Sequence, residues 1–463
     1  MSSLLRILNV GVNGMQAASH GISVASHNAS NTATEGYTRR LAQIDPVDPR
    51  LLGGARAAGQ RRVADQFVER RLLGARSYSG ESAARAGTLA ILDTVLGGGP
   101  GSVGEAMQAF HTALADFASL PNEPAARTIL LRRATELGSA FQRASGELDA
   151  ARVDTNARIV DEVAQVNRRL HEISDLGTRI AETEALGQDA NDLRDQRDLL
   201  VREVADRVPV STLTEADGRM HLMLAGSRAL VGPDGSVHEL QATTEPTSGE
   251  VRVYRTTAGA TEDITGMLGS GSIAGYVDAR DGALADARAG LDQLAADIAT
   301  AYNGAHSAGF GLDGSSGLNL FEPHASVDLA ARRNLVVSSD VAGAPMRLAA
   351  AQDPGALPGD NRVALQLQSL TTSPIAAGGT LSAGDQLAAL VASAGSAVQS
   401  ANAQREQADL VTSQVSALRD SVSGVSTDEE MVSLMRFQRA YEASLKVIKV
   451  ADDMLAELLR MRG

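Results

Sequence analysis

Leu4-Leu5-Arg6-Ile7-Leu8-Asn9-Val10-Gly11-Val12-Asn13-Gly14-Met15 opens a run in which Leu4, Leu8, Val12, Met15, Ala18, Ile22, Ala25 and Ala29 recur at steps of three and four. That spacing puts them on one face of a helix, as a seam that expects a second helix beside it. The far end of the chain repeats the pattern with Leu434, Tyr441, Leu445, Ile448, Leu455 and Leu459. Two seams at opposite ends predict that the termini pair as a coiled coil and that the middle of the chain is a long insertion between them. The pattern speaks of assembly before chemistry.

Working outward, the first helix is expected from about Ser3 into the low thirties, ending in the polar cluster Asn28-Ala29-Ser30-Asn31-Thr32, with Gly36 free to take a left-handed exit. Between Leu41 and Gly59 the periodicity breaks at Pro46, Pro49 and Gly53-Gly54. Helices are predicted over Val63–Leu96, stopped by Gly97-Gly98-Gly99-Pro100, then over Val103–Ser119, Ala125–Leu186 and Asn191–Asp206. Within the longest of these, Val163, Val166, Leu170, Ile173 and Ile180 keep a heptad-like seam. From Pro209 to Gly271 short β-type runs alternate with turn signals such as Pro233-Asp234-Gly235 and Ser248-Gly249. Helical patterning resumes at Ile273, pauses over a Gly-rich loop (309–317) and a mixed segment with Leu335-Val336-Val337, and returns after Asp360. A last break at Gly424 precedes two overlapping capping boxes, Ser426 with Glu429 and Thr427 with Glu430. The expected architecture is mainly α: terminal helices pairing as a coiled coil (1–40 with 421–463), a middle domain built as a long-helix bundle (41–208 with 272–420) and an inserted small β-rich domain (209–271).

Composition narrows the function. Hydrophobic residues make up 43% and aromatics only 3%, with no Trp, which favours thin, Ala-rich helical packing over a deep enzyme pocket. A net charge of -14, with no basic run longer than pairs such as Arg39-Arg40 and Arg61-Arg62, argues against nucleic acid. The absence of cysteine removes disulfides, thiolate metal sites and a Cys nucleophile. Met1-Ser2-Ser3-Leu4-Leu5-Arg6 lacks the basic start and apolar block of a secretory signal, and no run is apolar enough for membrane insertion. The expectation is a soluble chain whose export, if any, uses another route.

No constellation for catalysis emerges. The eight histidines form no His-x-x-x-His pair, and His20 and His27, seven apart on one helix face, read as surface or seam residues. The Gly309-Phe310-Gly311-Leu312-Asp313-Gly314 run follows a helix and opens none, so it reads as a tight loop and not a phosphate cradle. Arg194-Asp195-Gln196-Arg197-Asp198 alternates charge on a helix and reads as an ordinary salt-bridged surface. No cofactor or metal is expected.

The terminal segments carry more specific information. His27-Asn28-Ala29-Ser30-Asn31-Thr32-Ala33-Thr34-Glu35-Gly36-Tyr37-Thr38-Arg39 resembles the motif that ends the first helix of bacterial flagellar axial proteins. Ser423-Gly424-Val425-Ser426-Thr427-Asp428-Glu429-Glu430-Met431, leading into Phe437-Gln438-Arg439-Ala440-Tyr441-Glu442-Ala443, resembles their C-terminal helix. Asn191 to Asp198, Gly275 to Asp281, Asn303 to His306 with Gly309, and Pro358-Gly359-Asp360-Asn361-Arg362 narrow the resemblance to the hook-associated protein 1 (FlgK) family. His27 stands where these proteins often carry a small polar residue, and the 209–271 insert has no motif of the kind.

The resemblance implies a structural protein, with no enzymatic activity, at the extracellular junction between flagellar hook and filament. Its implied partners are copies of itself in a helical or ring assembly, the hook protein, the second hook-associated junction protein, and a flagellar export chaperone with the type III export apparatus. The residues expected at the assembly interface are Leu4, Leu8, Val12, Met15, Ile22, Asn28, Asn31, Gly36, Tyr37, Leu434, Tyr441, Leu445, Ile448, Leu455 and Leu459. Three alternatives stand beside this reading: another axial protein (hook protein, second junction protein or flagellin), a non-flagellar soluble coiled-coil adaptor, and a cell-wall hydrolase riding on the flagellum.

Overall fold

The computed structural model describes residues 2–47, 53–215, 218–224, 226–257, 260–323 and 335–461. Ten α-helices lie among them: α1 (Ser2–Ser30), α2 (Gln66–Leu96), α3 (Val103–Ser119), α4 (Pro124–Ala185), α5 (Asn191–Ala205), α6 (Ser272–Ala279), α7 (Ala285–Ser307), α8 (Arg362–Ser369), α9 (Ala383–Ser423) and α10 (Thr427–Arg460). A short stretch, Arg280–Leu284, kinked at Gly282, joins α6 to α7. The boundaries follow the stop signals. The Gly97–Gly99 run ends α2, Ser102 caps α3 by accepting from the Glu105 N–H, and Gly424 separates α9 from α10.

Two compact units divide the chain: Met1–Glu81, Asp161–Ala274 and Gln407–Gly463 form the first, and Ser82–Val160 with Gly275–Glu406 the second. The divisions fall inside α2, α4, α6 and α9, so each unit contains part of each of these helices.

In the second unit the few aromatics are concentrated at the centre. Phe110, Tyr302 and Phe321 meet edge to face with ring centroids 5.3–6.3 Å apart, and all three are buried. Asn303 brackets this cluster by donating to the Phe321 carbonyl and accepting from its N–H, both at 2.8 Å. His306 accepts from the Ala349 N–H through Nε2, so Nδ1 carries the proton that bonds the Leu318 carbonyl. Asn303 and His306 thus hold the polar edges of the core. Arg127 is buried, and no carboxylate bonds it among the described residues. Its guanidinium donates to the carbonyls of Pro121 and Leu348 and lies over the Phe117 ring, and burial pushes it down to about 10.

In the first unit the 209–271 insert is β-rich, as its turn signals predicted. It forms two antiparallel sheets, β3 (Val210–Thr214)–β4 (Met220–Leu224)–β5 (Arg228–Val231) and β6 (Leu240–Thr244)–β7 (Val251–Thr257)–β8 (Ala260–Asp263). Asn167 on α4 bonds both the N–H and the carbonyl of Leu240, and Ser174 donates to the Gly235 carbonyl, so the insert docks along α4. The seam residues Val163, Val166, Leu170, Ile173 and Ile180 are all buried.

One pair of strands was not predicted. The stretch read only as a break in periodicity holds a hairpin, β1 (Arg40–Pro46) with β2 (Ala55–Arg62), irregular between Gln43 and Ile44.

Candidate assembly interface

The pairing of the termini is observed directly: α1 and α10 run antiparallel against each other. What permits the contact is a row of small residues on α1. A methyl group added at Gly11 would sit 2.7 Å from the Ile448 side chain, one at Gly14 2.7 Å from Ser444 Oγ, and one at Gly21 2.5 Å from the Phe437 ring. With Ala18 and Ala25, both buried, these glycines fall at 11, 14, 18, 21 and 25, a heptad spacing whose missing side chains let the α10 residues sit down on the α1 backbone. On α10 the matching row is Leu434, Phe437, Tyr441, Ser444, Ile448, Ala451 and Leu455, all buried or half-buried and flanked largely by exposed positions.

A second face of α1 packs on the hairpin. Asn13 Nδ2 donates to the Gly53 carbonyl, His20 Nε2 to the Gly59 carbonyl, and Gly54 comes so close that an added methyl would lie 3.3 Å from Val10 Cα. Ala17 and Val24 are buried on this side. His20 is therefore a hydrogen-bond donor to the hairpin. No group of three or more His, Asp or Glu able to hold a metal ion occurs among the described residues.

Where α1 ends, the polar cluster becomes a knot that turns the chain back. Buried Asn28 donates to the Arg40 carbonyl at 2.8 Å and accepts from the Arg40 N–H at 3.1 Å, and Tyr37 donates its hydroxyl to the same Asn28 oxygen at 2.7 Å. His27 Nδ1 lies 3.0 Å from the Tyr37 oxygen, and Arg40 covers the Tyr37 ring at 4.9 Å. Burial, with Asp195, Asp192 and Glu430 adding to it, outweighs Arg40 and pushes the Tyr37 hydroxyl up to about 12. Asn31 closes the turn through the His27 carbonyl and the Thr34 hydroxyl. Gly36 takes φ +80°, a left-handed conformation, against Leu199.

Two sets of charges lock this knot to the rest of the first unit. Arg39 Nε bonds Glu430 at 2.8 Å, its other arm reaches Glu429, and its N–H bonds the Ser423 carbonyl. The start of α10 is thereby tied to the end of α1: Ser426 accepts from the Glu429 N–H at 3.5 Å, but the glutamates' carboxylates go to Arg39. Arg419 near the end of α9 donates to the carbonyls of Gly36 and Tyr37.

The second set corrects the sequence reading. Asp195 and Arg197, expected on an exposed helix face, are 7% and 2% exposed. Arg40 and Arg62 from the hairpin cover α5, pairing with Asp192 and Asp195 and with Asp195 and Asp198 respectively. Burial alone would raise Asp198, but Arg62 and Arg197 hold it below the usual carboxylate value.

Of the expected interface residues, Leu4, Leu8, Val12, Met15 and Ile22 are half-buried on α1, and Leu434, Tyr441, Ile448 and Leu455 lie in the α10 row. Leu445 falls outside that row and is 42% exposed, and the side chain of Leu459 lies outside the described residues. Pattern reading passed over Gly11, Gly14, Gly21, Phe437, Ser444 and Ala451. It followed large apolar side chains, whereas the tightest contact depends on small ones, and the glycine heptad was the signal available.

The pair still leaves apolar surface uncovered. Leu5, Ile7 and Val10 on α1, and Met431, Val432, Val450, Met454 and Leu458 with Leu445 on α10, range from 39% to 61% exposed.

Comparison with known proteins places this architecture. Residues 89–321, half of the chain, match the family model described as the flagellar hook-associated protein FlgK helical domain, and residues 419–461 match that of the flagellar basal body rod FlgEFG protein C-terminal. Flagellar hook-associated protein 1 of Escherichia coli is 26% identical over 553 residues, spanning all of both chains. That of Salmonella typhimurium is 30% identical over 332 residues, covering 69% of this chain and 59% of the relative, and that of Bacillus subtilis is 24% identical over all of this chain and 99% of its own. The solved structure of the flagellar hook junction protein FlgK from Burkholderia pseudomallei shares the fold, with a TM-score of 0.68 at 16% identity over 76% of this chain and 100% of that one. The chain belongs to the FlgK family of flagellar hook-associated proteins.

Proposed function

We propose that this chain is a structural component of the extracellular flagellum that forms the junction between hook and filament and assembles through its paired terminal helices. The observation that carries the reading is the set of large apolar side chains that the α1–α10 pair leaves exposed. Surface this rich in apolar side chains suits an interaction site, and head-to-tail packing of identical subunits extends it along a helical lattice. The naming of full-length relatives as hook-associated protein 1 supports the same role. In this reading residues 1–40 with 421–463 form an inner domain, 41–208 with 272–420 a helical middle and 209–271 an outer domain. The fifteen residues named above contribute to the interface. The partners are copies of the chain, the hook protein, the second junction protein, and the export chaperone with the type III apparatus. The role is structural and not catalytic.

Two substitutions separate the parts of this reading. Leu445→Asp alters the exposed apolar surface of α10, so the monomer keeps its melting temperature but is not incorporated into flagella when it replaces the wild-type chain. Ile448→Asp places an unpaired carboxylate against α1, which costs about 3 kcal/mol or more and loosens the terminal pair as well. Normal incorporation of Leu445→Asp, seen by immunogold labelling of flagella, would refute the use of this surface.

A further inference from the structure

An open cleft of about 580 Å³ in the first unit lies where the β1–β2 hairpin, the start of α2, α5 and the β3 strand come together. Its walls are unusually rich in arginine, and the carboxylates among them are already engaged. Asp198 bonds Arg62 at 2.7 Å, Glu184 holds Arg194 through two 2.8 Å bonds, Glu69 takes Arg202, and Asp189 accepts from the Gln60 N–H at 2.7 Å. Asp189 keeps its charge, yet arginines outnumber carboxylates along the lining, five to four. Arg61 and Arg70 line the cleft, are exposed, and pair with no carboxylate among the described residues.

Deeper in the wall, Arg197 is 2% exposed. Its Nη1 donates to the Gly218 carbonyl and its Nη2 reaches Asp198 at 3.3 Å, while Nε, fully buried, has no hydrogen-bond partner. Burial, helped by Arg194 and Arg62 nearby, holds this guanidinium below its ordinary value even with Asp198 alongside. A buried cation without full compensation is costly, and an anion in the cleft would relieve it. Charge-assisted bonds from guanidinium forks suit planar or tetrahedral oxygen anions best.

We propose that this cleft is an oxyanion-binding site, taking a phosphate or a carboxylate between Arg61, Arg70 and the Arg197 edge. It serves no step of the junction role and stands independently of it. The ligand is either a dissolved anion or an acidic side chain supplied by another protein, and the two sources share the same chemistry.

The test is calorimetric titration of the full-length chain with inorganic phosphate, citrate and a short Asp/Glu peptide, each against sodium chloride at matched ionic strength. Saturable binding is expected, weakened about tenfold or more in Arg61→Ala/Arg70→Ala, as loss of charge-assisted bonds requires. These two side chains are exposed, so the double variant keeps its fold, checked by an unchanged melting temperature without anion. Saturation by phosphate or citrate identifies a dissolved anion, and saturation by the peptide alone identifies a side chain. Heats no larger than those of chloride, or binding unchanged in the double variant, would overturn the assignment.

Discussion

Asn28 shows how one side chain can fix the direction of a chain. Its amide satisfies both backbone groups of Arg40 and receives the Tyr37 hydroxyl, so the end of α1, the return segment and the start of β1 share one polar centre with no water-exposed face. Replacing Asn28 with Ala removes the side-chain partner of a buried N–H and a buried carbonyl, and leaves the Tyr37 hydroxyl only His27. With each unsatisfied group costing about 1–3 kcal/mol, the expected outcome is a loss of at least about 2 kcal/mol in chemical denaturation of the monomer. A variant as stable as wild type would show that the knot is ornamental. The importance of Asn28, Asn31, Gly36 and Tyr37 was legible from the resemblance alone. The partners of Asn28, Asn31 and Tyr37 were not, because an irregular turn brings these near neighbours together with no period to mark it. The Asp192–Asp198 run was misread because its partners are distant: alternating charge on a helix looks solvated until the arginines of a hairpin more than a hundred residues upstream are laid over it.

At the scale of elements, the helices through α5 were readable almost to the residue because their stops are chemical: glycine runs, prolines and caps; the interruption at 370–382 between α8 and α9 was missed. The β1–β2 hairpin was not. Most residues of β1 are exposed or half-buried, so the strand lacks the alternation that marks a half-buried sheet, and Pro46 with Gly53-Gly54 suggested a plain loop. It forms because α1 and α5 offer backbone and charge partners on either side of it. The α1–α10 contact was predicted, but its mechanism was inverted, since glycines and not leucines set the closest approach. Gly21→Val therefore drives a branched side chain into the Phe437 ring. Overpacking of this kind costs about 1–3 kcal/mol, and the added bulk separates the two helices. A pair of spin labels on α1 and α10 would report the separation as an increased distance, whereas an unchanged distance would mean that Phe437 yields without cost.

For the whole molecule, sequence patterning separated a β-rich insert from a helical body and matched the two ends to each other. It did so because periods of 2 and 3.6 differ sharply and because turn residues cluster in 209–271. It could not show that the compact units divide inside α2, α4, α6 and α9, since nothing in a continuous helical pattern marks such a boundary. Of the few aromatics, Phe110, Tyr302 and Phe321 are spent on the core of the second unit. In the proposed function, the apolar side chains left exposed on the terminal pair are where this molecule meets others. Deleting the gene in its host, then examining the cells by electron microscopy and assaying flagellin in the medium, tests the junction role most directly. Bare hooks with flagellin lost to the medium are the predicted result, and intact filaments on normal hooks would contradict it.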